Sequence, residues 1–99
     1  MDQNILAFAN MSASDYFNDP FNFKKVSNEF GSGDRFKNFA AQLGYKCSQI
    51  DVYLQYGPFE CFSLAFNEWL KTKHTMLDFA KILVGVKHKL LARKLDDRL

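Results

Sequence analysis

Cys47, Cys61, His74 and His88 are the only cysteines and histidines in the chain. Thiolates and imidazoles bind zinc and attack carbonyls, so they come first in a search for chemistry. A structural zinc site usually holds close pairs such as Cys-x-x-Cys or His-x-x-x-His, because one turn then presents two donors. Here successive members stand more than a dozen positions apart, and no local pair exists. Neither cysteine lies in the Cys-Gly or Gln-Ala-Cys context of a catalytic thiol. Spacing alone leaves Cys–His catalysis open, since such pairs meet only in space. Gly31-Ser32-Gly33 has no Lys-Ser/Thr after it and no strand before it, so it reads as a turn and not a phosphate cradle. The expectation is a chain with no metal, no cofactor and no enzyme activity. Two separated free thiols suit a reducing compartment, which points to the cytoplasm.

The second candidate chemistry is charge. Up to Leu70 the chain has five basic and eight acidic residues; from Lys71 it has eight basic and three acidic. The formal net charge of +2 therefore conceals a dipole. Such a domain attracts an anionic partner, or a copy of itself head to tail. One reading of the basic C-terminal stretch is a nucleic-acid contact through Lys87, Lys89, Arg93 and Lys94. The plainer reading is a solvated helix face, because Leu90, Leu91 and Leu95 alternate with the charges. No aromatic platform is interleaved with them, and a pI of 8.6 lies below the usual mark of a nucleic-acid domain.

These residues need elements to position them. Ninety-nine residues make one domain. A hydrophobic fraction of 47% is enough for a core, and it excludes wholesale disorder. No uncharged apolar stretch approaches the ~18 residues of a membrane span, and Met1-Asp2-Gln3-Asn4 lacks the basic start of a secretory signal. Phenylalanine is unusually frequent, at 11 residues, which suits a small core of bulky rings.

The apolar spacing predicts short helices throughout. Asp19-Pro20 caps and starts the first, with Phe23, Val26 and Phe30 on one face and Gly31-Ser32-Gly33 ending it. Asp34 caps the second, where Phe36, Phe39, Ala40 and Leu43 line up before Gly44. Ser48 and Asp51 resemble a capping box for the third, with Ile50, Tyr53 and Leu54 inward. The fourth spans Phe59 to Lys73, with Phe62, Ala65, Phe66, Trp69 and Leu70 along one side. Thr75 and Asp78 open the fifth, which turns Leu77, Ala80, Leu83 and Val84 inward up to Gly85. The sixth runs from Lys87 to Asp96. Residues 1–18 form an N-terminal extension with room for one more amphipathic turn, or a mobile tail, before a bundle over 19–99. The predicted fold is an all-α, six-helix antiparallel bundle.

Specific residues sharpen this. Phe36-Lys37-Asn38-Phe39-Ala40-Ala41-Gln42-Leu43-Gly44 is similar to the Trp-x-x-Leu-Ala-x-x-Leu-Gly segment on helix 2 of death domains, with Phe for both Trp and Leu. Ser48-Gln49-Ile50-Asp51 matches the polar turn and Ile-Asp that follow in that family. Trp69-Leu70 ends the fourth helix as the family's Trp does. Thr75, Phe79 and Leu83 keep the spacing of its fifth helix, and Leu91-Ala92-Arg93-Lys94-Leu95 resembles its last. The chain thus resembles the death-domain superfamily over about residues 20–96.

The resemblance implies a Greek-key bundle and homotypic binding between death domains. Such modules stack asymmetrically in apoptotic or innate-immune signalling and act as adaptors or scaffolds. Partners would be other death-domain proteins, or a second copy. The surfaces it implies are the outer face of the second helix (Arg35, Lys37, Gln42) and the next corner (Tyr45, Lys46). The start of the fourth helix offers Glu60, and Asp15, Asp19, Glu29, Asp34 and Asp51 are the acidic partners for the basic corners. Lys71 and Lys73 hold the fourth corner, and Lys87 and Lys89 the fifth. Tyr56 and Phe59, near loops, are further candidate anchors or half-buried supports.

Overall fold

The computed structural model describes residues 3–86, with side chains from Ala7 onward. The described part is all-helical: α1 (Gln3–Asn10), α2 (Ala13–Phe17), α3 (Pro20–Phe30), α4 (Gly33–Gln42), α5 (Cys47–Leu54), α6 (Glu60–Leu70) and α7 (Met76–Gly85). Among the described residues there is no strand, only one isolated bridge between Ser12 and Thr75. Helices α3 to α7 fall where sequence spacing puts the first five elements. The sixth expected helix, Lys87 to Asp96, lies outside the described residues.

Local chemistry explains most of the boundaries. The Asp19 carboxylate accepts the Phe21 N–H at 2.9 Å, and Pro20 takes the first helical position. Helix α4 ends in a Schellman motif. Gly44, at φ +101, donates to the Ala41 carbonyl, and Tyr45 N–H reaches back to Ala40. A reciprocal capping box opens α7: Asp78 accepts the Thr75 N–H at 2.9 Å, and Thr75 Oγ1 accepts the Asp78 N–H at 3.3 Å.

Other caps differ from expectation. Ser32, not Asp34, is the N-cap of α4, because the chain turns into the helix two residues earlier, at Gly33 with φ +62. Helix α5 starts from Lys46, whose N–H is taken by the Gln49 side chain at 2.9 Å, so Ser48 and Asp51 form no box. Helix α6 covers Glu60–Leu70 only; Lys71 is its C-cap.

The core is a mesh of rings. Phe66 on α6 lies within 5.0–6.0 Å of Phe17, Phe23, Phe39, Phe62, Trp69 and Phe79, measured between centroids. Phe39 stacks on Phe30 at 4.5 Å. Phe36, Phe39, Phe62 and Phe66 are fully buried, and Trp69 nearly so.

The segment before Asp19 shares this core. Phe8, Ala13, Tyr16 and Phe17 are buried in the same cluster, with Phe17 4.8 Å from Phe79. Backbone bonds fasten it to the α6–α7 turn: Ala13 N–H to His74 O at 2.8 Å, and Met76 N–H to Met11 O at 2.9 Å. This attachment sets the rotation of α7. Met76, Phe79, Ile82 and Leu83 face inward, while Leu77 and Val84, expected inside, are 48% and 76% exposed. Helix α7 is apolar on nearly every side, so its own sequence does not pick one face.

Candidate protein-interaction surface

The residues singled out by sequence divide into three groups. On α4, Arg35, Lys37 and Gln42 all face solvent, as the apolar phase of that helix requires. Arg35 is tied to Glu29 at 3.4 Å and Lys37 sits 3.9 Å from Asp34. The basic partner of each pair is largely exposed, and such pairs contribute little, about 0–1 kcal/mol. Gln42 ends the same face and meets the last turn of α7, where a Cβ on Gly85 would collide with its amide.

The second group surrounds the corners. Tyr45 is half-buried. Its hydroxyl donates to the Ala65 carbonyl at 2.7 Å and its ring meets Tyr53 edge-on at 5.3 Å. Burial pushes its phenol well above the ordinary tyrosine value. Tyr45 is therefore a brace between the α4–α5 corner and α6. Lys46, Lys71 and Lys73 are exposed, and Lys71 pairs with Glu68 at 2.9 Å. The two corners meet across a cleft of about 380 Å³ whose lining includes Tyr45, Gln49, Glu68 and His74.

The third group is dispersed. Asp51 and Glu60 are exposed on α5 and at the start of α6. Lys87 and Lys89 lie outside the described residues.

Three features rest on tertiary contacts that spacing does not show, although Tyr56, His74 and Phe59 within them are residues the sequence singles out. The first is a cleft of about 330 Å³ between α5 and α6, lined by Gln49, Val52, Tyr53, Tyr56, Leu64 and Glu68. Val52 and Tyr56 are 55% and 60% exposed at its edge. Val52 lies on the side of α5 away from buried Ile50, and Tyr56 follows four residues on, in the turn just past the helix end at Leu54. The second is His74, stacked on Trp69 at 4.0 Å and 7°, with Nδ1 3.8 Å from Asp78 Oδ2. That separation is too long for a hydrogen bond. The Asp78 carboxyl is held below the ordinary carboxylate value, chiefly by the Thr75 N–H.

The third is Phe59, 52% exposed with φ +65, a backbone region that L side chains rarely adopt. Its N–H donates to Gly31 O at 2.6 Å, and the buried Cys61 thiol approaches the same carbonyl at 3.5 Å. The α5–α6 loop is thereby pinned to the α3–α4 turn.

For chemistry the surface offers little. Burial raises the Cys61 thiol above its ordinary value, which favours the protonated and unreactive form. Cys47 is exposed. Among the described residues no three His, Cys, Asp or Glu side chains group so as to hold a metal ion. Among them, too, no helix is long and apolar enough to cross a membrane. No family model matches the chain, and neither a curated protein nor a solved structure matches it.

Proposed function

We propose that this chain is a protein-interaction module that acts by assembly and not by catalysis, in the manner of a death domain within cytoplasmic signalling. In this reading α3 to α7 are five helices of the Greek-key unit that the resemblance implies, and α1 and α2 brace it. The observation that carries the proposal is the α5–α6 cleft. Val52 and Tyr56 leave apolar surface in water beside a concave site lined also by Tyr53 and Leu64. A fold that buries every ring of α4 and α6 gains nothing internal from that exposure, whereas a partner covering it recovers the apolar burial. Aromatic anchors in such sites dominate binding energy. The charged side chains around it, with Lys71 and Glu68 at one end, supply orientation and encounter rate.

Light scattering on a sizing column, over a concentration series and at two salt levels, tests this. The expected result is mass that rises with concentration for the native chain and a constant monomer mass for Val52→Glu. A monomer at all concentrations contradicts homotypic assembly.

A further inference from the structure

The α5–α6 cleft has a matching projection on the opposite side of the molecule. Phe21, in the first turn of α3, is 68% exposed, the most exposed aromatic among the described side chains. Lys25 holds its ammonium 5.2 Å from the Phe21 ring centroid, and Lys24 is exposed beside it. Positions 21, 24, 25 and 28 share one face of α3 by helical spacing. Phe23, Val26 and Phe30 share the other, and Phe23 meets Phe62 and Phe66 of α6 at 5.5 and 5.6 Å. On α6 the same division holds: Phe62 and Phe66 point to α3, while Glu60, Leu64 and Glu68 lie on the outer face. Since the inner faces of α3 and α6 are packed together, their outer faces look in opposite directions.

We infer that the occupant of the α5–α6 cleft is the Phe21 projection of a second copy of this chain. This deepens the assembly reading and rests on it. A phenyl ring fits within about 330 Å³ and would lie against Val52, Tyr56 and Leu64. The charges agree: Lys24 and Lys25 accompany the ring, and Glu60 and Glu68 flank Leu64 one turn to either side. Lys71 already engages Glu68 at 2.9 Å in the free chain, so docking exchanges that exposed pair for one across the interface. Because projection and cleft are different patches, the contact is head to tail and not a twofold dimer, and each added copy presents a fresh cleft.

Two full-length variants test the pairing. Phe21→Ser removes the projection and keeps the cleft; Tyr56→Ser damages the cleft and keeps the projection. Both side chains are mostly exposed, and circular dichroism verifies the helices. Each variant alone is expected to associate about tenfold or more weakly than the native chain. An equimolar mixture is expected to form a one-to-one dimer and nothing larger, since only one intact contact remains. Val52→Glu in place of Tyr56→Ser must give the same pattern. Native-like assembly by either single variant, or a mixture that stays monomeric, overturns this pairing while leaving assembly itself standing. A native chain that never associates overturns both.

Discussion

Gly31 shows how much a single residue carries. Its φ of −73 suits any amino acid, so conformational freedom is not the reason for glycine there. Space is: a Cβ would strike the Phe59 ring and the Ser27 carbonyl. The ring can give way but the backbone oxygen, inside α3, cannot. Gly31→Ala is expected to cost about 1–3 kcal/mol in urea unfolding, as overpacking does, and to free the loop that presents Tyr56. A second prediction concerns Asp78. Its carboxyl is held below the ordinary value by the Thr75 N–H, so the ionised form stabilises the fold above the unfolded-state pKa. That contribution is lost as pH falls through the lower folded value. Urea midpoints of the native chain and Asp78→Ala should differ most at neutral pH and converge in acid. A gap that persists in strong acid would assign the effect to packing instead of charge.

At the scale of elements, legibility followed capping. Helices α3 and α7 were readable because Asp19-Pro20 and Thr75…Asp78 place recognised side chains at their starts. The end of α4 was readable from Gly44. Helix α2 was not: it has five residues, and Ser12 makes no side-chain cap bond. An element that short exists only through tertiary contacts, here Phe17 against Phe66 and Phe79. The same contacts decide which side of α7 faces inward, so the misplacing of Leu77 and Val84 follows from missing α2. Phe17→Ala is expected to cost about 3–5 kcal/mol and to lower the thermal midpoint sharply. A change no larger than that of an exposed substitution would mean that residues before Asp19 are dispensable to the core.

At the scale of the whole molecule, the interaction residues were partly legible. The exposed positions on α4 and at the corners follow from helical phase. The α5–α6 cleft does not, because it arises from the distance between two helices and not from a pattern within either. Tyr45 illustrates the difference: an aromatic at a corner reads as an anchor, but its hydroxyl is occupied by Ala65. Among the described residues, two exposed apolar areas lie away from Phe21 and Phe59: Val52 with Tyr56, and Leu77 with Val84. Methyl NMR of the full chain, followed over a dilution series, discriminates between them. Assembly through the α5–α6 cleft predicts concentration-dependent shifts at the Val52 and Leu64 methyls, with buried Val26 and Leu83 unchanged. Shifts confined to Leu77 and Val84, or none at any concentration, would contradict it.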